Sequence, residues 1–101
     1  MNKRIEGFDW DKGNLRHCQK HGVSTAEIED LFSRPVLIIP DHTHSQTEQR
    51  IRAIGKNSSG KSIFLVFMIR EEKGKRLVRP ISARYMHKKE IESYEEENPD
   101  L

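Results

Sequence analysis

The 101-residue chain lacks a membrane segment, a disulfide framework and the means to build a large core, since only 34% of its residues are hydrophobic. Its longest apolar stretch is Ile63 to Ile69, far below the ~20 residues that span a bilayer. No apolar stretch follows Met1 to Glu6, so no secretory signal is visible. Cys18 is the single cysteine and cannot form an internal disulfide, which fits a reducing compartment. We expect a cytoplasmic protein that forms one domain over residues 1–101.

Motifs of several common enzyme classes are also absent. The sequence has no Gly-rich phosphate loop, no Gly-x-Ser-x-Gly and no Cys-x-x-Cys. These absences disfavour nucleotide hydrolysis by a P-loop and hydrolysis by a serine nucleophile.

The net charge of +2 conceals an uneven distribution along the chain. Residues 1–40 carry six basic and six acidic side chains, whereas residues 41–94 carry twelve basic and six acidic ones. A short acidic tail occupies about residues 95–101. A basic segment of this size is typical of a surface that binds a polyanion, although an ordinary solvated surface has the same composition.

The first third of the sequence predicts two helices. Asp9 or Asp11 can cap the first, and Gly22 suits the position that closes it. Ser24-Thr25-Ala26-Glu27 is a capping box that starts the second helix, and Pro35 stops it.

The apolar period then changes to that of strands, and we expect four, over residues 36–39, 48–56, 63–69 and 75–85. The third is apolar throughout, which favours a central strand covered on both faces. An amphipathic helix over about 86–97 follows. The order is two N-terminal helices, a four-stranded antiparallel meander and a C-terminal helix, which predicts an α+β domain.

The last strand contains Arg79 and Arg84, the main candidates for a functional role. Strand alternation places Arg79 and Arg84 on opposite faces, where an arginine among apolar residues needs a carboxylate or a phosphate. One alternative is an internal ion pair, for example between Arg79 and Glu48. Pro80 implies a sheet edge or a bulge, and a bulge would bring both arginines toward one side. Arg50 and Arg52 share one face of the 48–56 strand with Ile54. If the strands pair as a meander, these two arginines add positive charge to a cleft shared with Arg79 and Arg84.

The histidines are His17, His21, His42, His44 and His87. His17 and His21 have the i, i+4 spacing of metal ligands, but Cys18 points about 100° away from His17 and the sequence places no third ligand. His21 and His87 are the better acid or base candidates because they flank element ends beside basic residues. Cys18 fits a small core residue better than a nucleophile.

Taken together, the motifs resemble a known family. They are Phe8-Asp9-Trp10-Asp11-Lys12, Asn14, Lys20-His21-Gly22-Val23-Ser24, Phe32, Asp41, Glu48-x-Arg50, Gly55, Ile81-Ser82-Ala83-Arg84, Glu90 and Tyr94. This pattern is similar to the BrnT family of bacterial type II toxins, whose fold resembles that of RelE-type ribonucleases. The resemblance runs from about Phe8 to Tyr94. Pro80 departs from it, because the family commonly has an aliphatic residue there.

The resemblance implies an RNA endonuclease that inhibits translation, uses no metal or other cofactor, and contacts no membrane. A BrnA-type ribbon-helix-helix antitoxin would neutralise it in a 2:2 complex and alone contact operator DNA. By position, the resemblance implies catalytic roles for Arg79, Arg84, Arg50 and His21. Residues expected to contact the substrate are Arg52, Lys20, His87, Lys88, Tyr94 and Glu48. The acid and base stay open among His21, His87, Glu48 and Tyr94, and no role transfers to His17, His42 or His44.

Two other functions fit the sequence. The same fold and basic face can serve a catalytically silent module that holds nucleic acid or an acidic partner. Alternatively, His17, His21 and Cys18 can serve a metal-binding regulator, which would require bound zinc.

Overall fold

The structure is a computed structural model that describes residues 5–41 and 50–97. Five strands form one sheet in the order β1-β5-β4-β3-β2. No helix in the described part of the chain is both long and apolar enough to cross a membrane. The elements are β1 (Gly7–Phe8), α1 (Lys12–Gln19), α2 (Thr25–Leu31), β2 (Leu37–Asp41), β3 (Arg50–Lys56), β4 (Ser62–Glu72), β5 (Lys75–Tyr85) and α3 (Lys88–Glu97).

Helix α1 begins at a cap that also attaches it to the sheet. The carboxylate of Asp11 accepts a hydrogen bond from the Asn14 backbone N–H at 3.0 Å, and Asn14 Oδ1 accepts one from the Asp11 N–H at 2.7 Å. Asn14 Nδ2 also donates to the carbonyl of Pro80 in β5 at 2.9 Å. This confirms Asp11 as the cap, although the helix ends at Gln19, ahead of Gly22 with its positive φ of 86°.

The capping box predicted for α2 is confirmed. Ser24 Oγ accepts from the Glu27 N–H, and Glu27 Oε1 accepts from the Ser24 N–H, both at 3.1 Å. The helix ends at Leu31, earlier than a stop at Pro35 would require.

The prediction of a four-stranded antiparallel sheet is wrong in one respect, because a fifth strand pairs in parallel. Gly7 and Phe8 pair with Leu77 and Val78 of β5, which makes the sheet mixed. Backbone hydrogen bonds of 2.8 Å from Glu6 N to Arg76 O and from Asp9 N to Val78 O flank this pairing. Two residues are too few for a period-2 pattern, so β1 exists only through its contact with β5. The antiparallel pairing of β2 through β5 agrees with the predicted meander.

The core lies on one face of the sheet, beneath α1 and α2. Cys18, Ile28 and Leu31 pack there against Leu65 and its neighbours on β3, β4 and β5. Gly55 is required in this layer, because a Cβ would lie 2.7 Å from Val36 Cγ1.

The opposite face is only partly covered. Strand β4 is central, as predicted, but Phe64 and Val66 on this face remain half-buried. Ile54 shares a strand face with Arg50 and Arg52, yet it is only 4% exposed. It lies beside Met86 and Ile91, with which it lines a cavity of about 240 Å³. The cavity lies against α3, which begins at Lys88, two residues after the expected start.

Candidate functional site

Arg50, Arg52, Arg79 and Arg84 lie on the sheet face opposite α1 and α2, in a surface that we call the arginine face, and alternation along β4 places Arg70 on the same side. Directly opposed side chains on neighbouring strands lie about 5 Å apart. The four side chains therefore rise from one continuous surface. Extending the register by one residue past the Ile51–Phe67 pair gives the first cross-strand row, Arg50–Met68–Arg79. The second row is Arg52–Val66–Ser82 and the third is Ile54–Phe64–Arg84.

A β-bulge in β5 places Arg79 and Arg84 on the same face. These residues are five positions apart, and regular alternation would put them on opposite faces. Pairing shifts by one residue where Val66 opposes Ser82 but Phe67 opposes Pro80, so Ile81 is the extra residue. Pro80 has no N–H to donate and is buried here, while its carbonyl accepts from Asn14. The predicted bulge is confirmed, with its consequence for the two arginines.

Arg79 forms the internal ion pair that the sequence left open, but with different carboxylates. It donates from Nη2 to Asp11 Oδ2 at 2.7 Å and from Nη1 to Asp9 Oδ2 at 3.3 Å. The hydrogen bond to Asp11 raises the pKa of Arg79. Asp9 is shared with Arg70, whose Nη1 lies 2.9 Å away. Arg79 is therefore already partly neutralised.

Arg84 is paired even more completely. Its two terminal nitrogens donate to the two oxygens of Glu90 in α3, each at 2.8 Å. This bidentate bond raises the pKa of Arg84 and, with the His87 backbone N–H, holds the pKa of Glu90 at about 2. The guanidinium carbon also lies 4.8 Å from the centre of the Phe64 ring. Glu90 thus occupies the two terminal guanidinium nitrogens of Arg84 that a phosphate would otherwise bind.

Arg50 and Arg52 differ from these two. Among the side chains that the structure describes, no carboxylate pairs with either of them. Arg52 Nε is buried and has no hydrogen-bond partner there, an arrangement that costs free energy unless a ligand oxygen satisfies it. Arg70, Arg79 and Arg84 are therefore paired with described carboxylates, whereas Arg50 and Arg52 are not; Asp41 lies opposite Arg50 in the β2–β3 register.

The first row opens into a cleft that also receives α1. Arg50, Arg79 and His17 line this cleft of about 330 Å³, with Asn14 at the same border. Asn14 and His17 are three residues apart and share a helix face, so the bond from Asn14 to Pro80 sets His17 beside the bulge. The sequence motifs gave His17 no role, although its spacing from Asn14 was a signal that α1 presents both together.

His21 and Lys20 are not brought to this cleft. Both are exposed, follow the end of α1 and do not line the cleft. Lys20 lines a separate shallow groove of about 380 Å³ with Lys12 and Arg16 on α1. The structure therefore does not place His21 beside the arginines, and the catalytic role that the resemblance implies for it stays a prediction.

The candidates in and before α3 lie around the Arg84–Glu90 pair. His87 and Lys88 are exposed, and the His87 N–H donates to Glu90 at 3.0 Å. Tyr94 is half-buried and lines the apolar cavity next to Ile54. These three residues flank the third row of the arginine face.

Glu48, His42 and His44 lie outside the described residues. Cys18 is fully buried, and burial raises the pKa of its thiol to about 11, which keeps it protonated. No group of three His, Cys, Asp or Glu side chains within residues 5–41 and 50–97 has the geometry of a metal site. His17, His21 and Cys18 are thus not grouped as ligands of one metal ion.

A small α+β domain with a face of arginines is typical of proteins that bind polyanions. The family model described as "Ribonuclease toxin, BrnT, of type II toxin-antitoxin system" matches residues 10–90, and the chain belongs to this family. No individual curated protein matches it. Family membership implies ribonuclease activity and an antitoxin partner.

Proposed function

We propose that this protein is a metal-independent endoribonuclease of the cytoplasm that inhibits translation by cutting RNA. The single observation that carries the proposal is the arginine face, where no carboxylate among the described side chains pairs with Arg50 or Arg52, which lie near Arg79. A phosphodiester supplies the anionic oxygens that such guanidinium groups bind in pairs.

The reaction requires RNA because its nucleophile is the 2′-hydroxyl group. A base removes the 2′-hydroxyl proton, the 2′-oxygen bonds to phosphorus, and the bond from phosphorus to the 5′-oxygen breaks. The departing 5′-oxygen takes up a proton, so the products are a 2′,3′-cyclic phosphate and a 5′-hydroxyl end. Negative charge grows on the phosphate oxygens in the transition state, where fixed cations are most effective.

The role of each arginine in this reaction depends on whether a carboxylate already pairs with it. Arg50 in the cleft and Arg52 in the next row pair with no carboxylate among the described side chains, and in our proposal their guanidinium groups bind the reacting phosphate. Arg79, held by Asp9 and Asp11, keeps a fixed position at the border of the cleft. Arg84, Lys88 and His87 lie beside α3, where they bind a neighbouring phosphate once Glu90 releases Arg84.

The antitoxin that the family implies is, in our proposal, a BrnA-like ribbon-helix-helix protein. Its dimer would bind two toxin chains in a 2:2 complex and supply the contacts to operator DNA. The partly covered outer face, with Phe64 and Val66 half-buried, offers apolar surface beside the arginines for such a partner.

The test is direct. Purified protein is incubated with a structured RNA in EDTA, and we expect fragments that end in 2′,3′-cyclic phosphate and 5′-hydroxyl groups. The same sequence as 2′-O-methyl RNA has no free nucleophile and should stay intact. Intact natural RNA together with a salt-sensitive mobility shift would instead identify a silent binding module, the alternative function.

A prediction concerns the carboxylate that occupies Arg84. Replacing Glu90 by glutamine removes the negative charge that neutralises Arg84. A phosphate then no longer competes with a carboxylate for the Arg84 guanidinium group. We expect Glu90→Gln to bind 2′-O-methyl RNA about threefold to tenfold more tightly at ~0.1 M salt, with a steeper dependence of affinity on salt. Fluorescence anisotropy titrations at several salt concentrations measure both quantities.

The matched control is Glu92→Gln. Glu92 is exposed on the same helix and changes the net charge by the same amount, but no bond to Arg84 is lost. Equal gains for the two variants would mean that net charge alone sets the affinity and that Glu90 does not restrict Arg84.

A further inference from the structure

The cleft between α1 and the first row of the arginine face contains a histidine as well as two arginines. His17 lines it together with Arg50 and Arg79, and the cleft has a volume of about 330 Å³, enough to admit a phosphodiester. The hydrogen bond from Asn14 to the Pro80 carbonyl fixes the first turn of α1 at this border. The position of His17 is therefore set by the fold and not by a loop.

Among the described residues that line the cleft, none besides His17 has a side chain suited to proton transfer. Arginine guanidinium groups do not act as bases in proteins, and Met68, Pro80 and Ile81 have no titratable group. Asn14 already donates to the carbonyls of Asp9 and Pro80.

Carboxylates at the border are also unsuitable. Asp11 is bonded to the Asn14 N–H and to Arg79, and these bonds lower its pKa, so it is a weak base. Asp9 is shared between Arg70 and Arg79. Histidine is the side chain whose proton exchanges between pH 5 and 8, and His17 is the histidine of this cleft among the described residues.

We propose that His17 is the general base of the RNA cleavage reaction, an inference that rests on the proposed ribonuclease function. The neutral imidazole takes the proton of the 2′-hydroxyl group while Arg50 holds the phosphate and Arg79 borders the cleft. The 2′-oxygen then bonds to phosphorus, the 5′-oxygen departs, and water supplies the proton that it needs. His21 does not line this cleft and takes no part.

The experiment compares single-turnover cleavage rates of the wild-type protein and the variants His17→Ala, His21→Ala and Gln19→Ala in EDTA. A positioned base contributes about a hundredfold or more, so His17→Ala should be about a hundredfold slower. Its affinity for 2′-O-methyl RNA should change less than about threefold. Added imidazole should restore part of the lost rate, which a merely structural role would not allow. Gln19→Ala, on an exposed position of the same helix, should match the wild type.

The outcomes separate the two proposals. If the wild type cuts RNA and His17→Ala cuts equally well, the role of His17 is overturned while the ribonuclease function stands. A loss in His21→Ala with none in His17→Ala likewise overturns it and returns the base to the residue that the family resemblance implied. If the wild type leaves RNA intact, both proposals fail.

Discussion

Replacing Arg50 and Arg52 together by alanine should slow RNA cleavage by about a thousandfold or more. Removing one donor to the developing charge typically costs a factor of 10²–10³, and no carboxylate among the described side chains pairs with either of these two arginines. Stability should change little, because the buried Nε of Arg52 has no partner to lose. Cleavage rates and thermal unfolding of the same preparations measure the two effects.

The control for this prediction is the double variant Lys73→Ala/Lys75→Ala. Both lysines are exposed at the β4–β5 turn, and their loss changes the net charge by the same amount. Rates should fall only as far as general electrostatic attraction for RNA requires, and more strongly at low salt than at high salt. A loss as large as that of the arginine variant would show that the arginine face holds no specific site.

Variants of Arg79 and Arg84 should also relieve growth inhibition while the protein stays folded, but their effects are harder to interpret. Alanine at position 79 removes a cation and releases the carboxylates of Asp9 and Asp11 at the border of the cleft. Those carboxylates would then repel a phosphate. Alanine at position 84 releases Glu90 and with it a bond that holds α3 to the sheet. For this reason Arg50 and Arg52 give the cleaner test.

Local signals in the sequence predicted most of the fold. The capping box at Ser24 and Glu27 depends on residues three apart, and the structure confirms it. Alternation in β3 placed Arg50 and Arg52 on one face, and Pro80 indicated the bulge that aligns Arg79 with them. In each case the decisive interaction lies within one element or between sequential strands.

The features that sequence reasoning missed depend on distant residues. β1 forms only because residues 7–8 meet residues 77–78, and the partners of Arg79 lie 68 and 70 positions away in sequence. His17 reaches the cleft because Asn14 anchors α1 to a carbonyl 66 positions away. Alternation and spacing contain no information on such contacts. The sequence therefore identified the arginines as candidate site residues but did not show which of them pair with a carboxylate.

Replacing Glu27 by alanine should lower the free energy of unfolding by about 2–3 kcal/mol, the largest stability effect that we expect of a polar residue here. Glu27 Oε2 accepts from Tyr85 Oη at 2.7 Å and from Asn57 Nδ2 at 2.9 Å. Its other oxygen accepts from Ser24 N and Oγ. One carboxylate thus joins the start of α2, the β3–β4 turn and the end of β5. The expected fall in melting temperature is roughly 10–20 °C, measured by calorimetry.

Glu29→Ala is the control for this variant. Glu29 lies on the same helix and accepts one exposed hydrogen bond, from Trp10 Nε1 at 2.9 Å. Its loss should cost less than about 1 kcal/mol. Similar losses in the two variants would mean that helix propensity in α2, and not the shared carboxylate, determines the effect.

Acid should reproduce the effect of Glu27→Ala. Partial burial tends to raise the pKa of Glu27, but the hydrogen bonds from Tyr85, Asn57 and Ser24 outweigh it and hold the pKa at about 2. Since glutamate in an unfolded chain titrates near pH ~4.3, the folded state holds this proton less tightly than the unfolded state. The stabilisation is therefore complete above about pH 5 and is lost as the pH falls through 4 toward 2.

Glu90, whose pKa is also about 2, contributes in the same interval, so Glu27→Ala should reduce the acid sensitivity of unfolding without abolishing it. An equally steep loss of stability between pH 5 and 2 in this variant and the wild type would contradict the assignment.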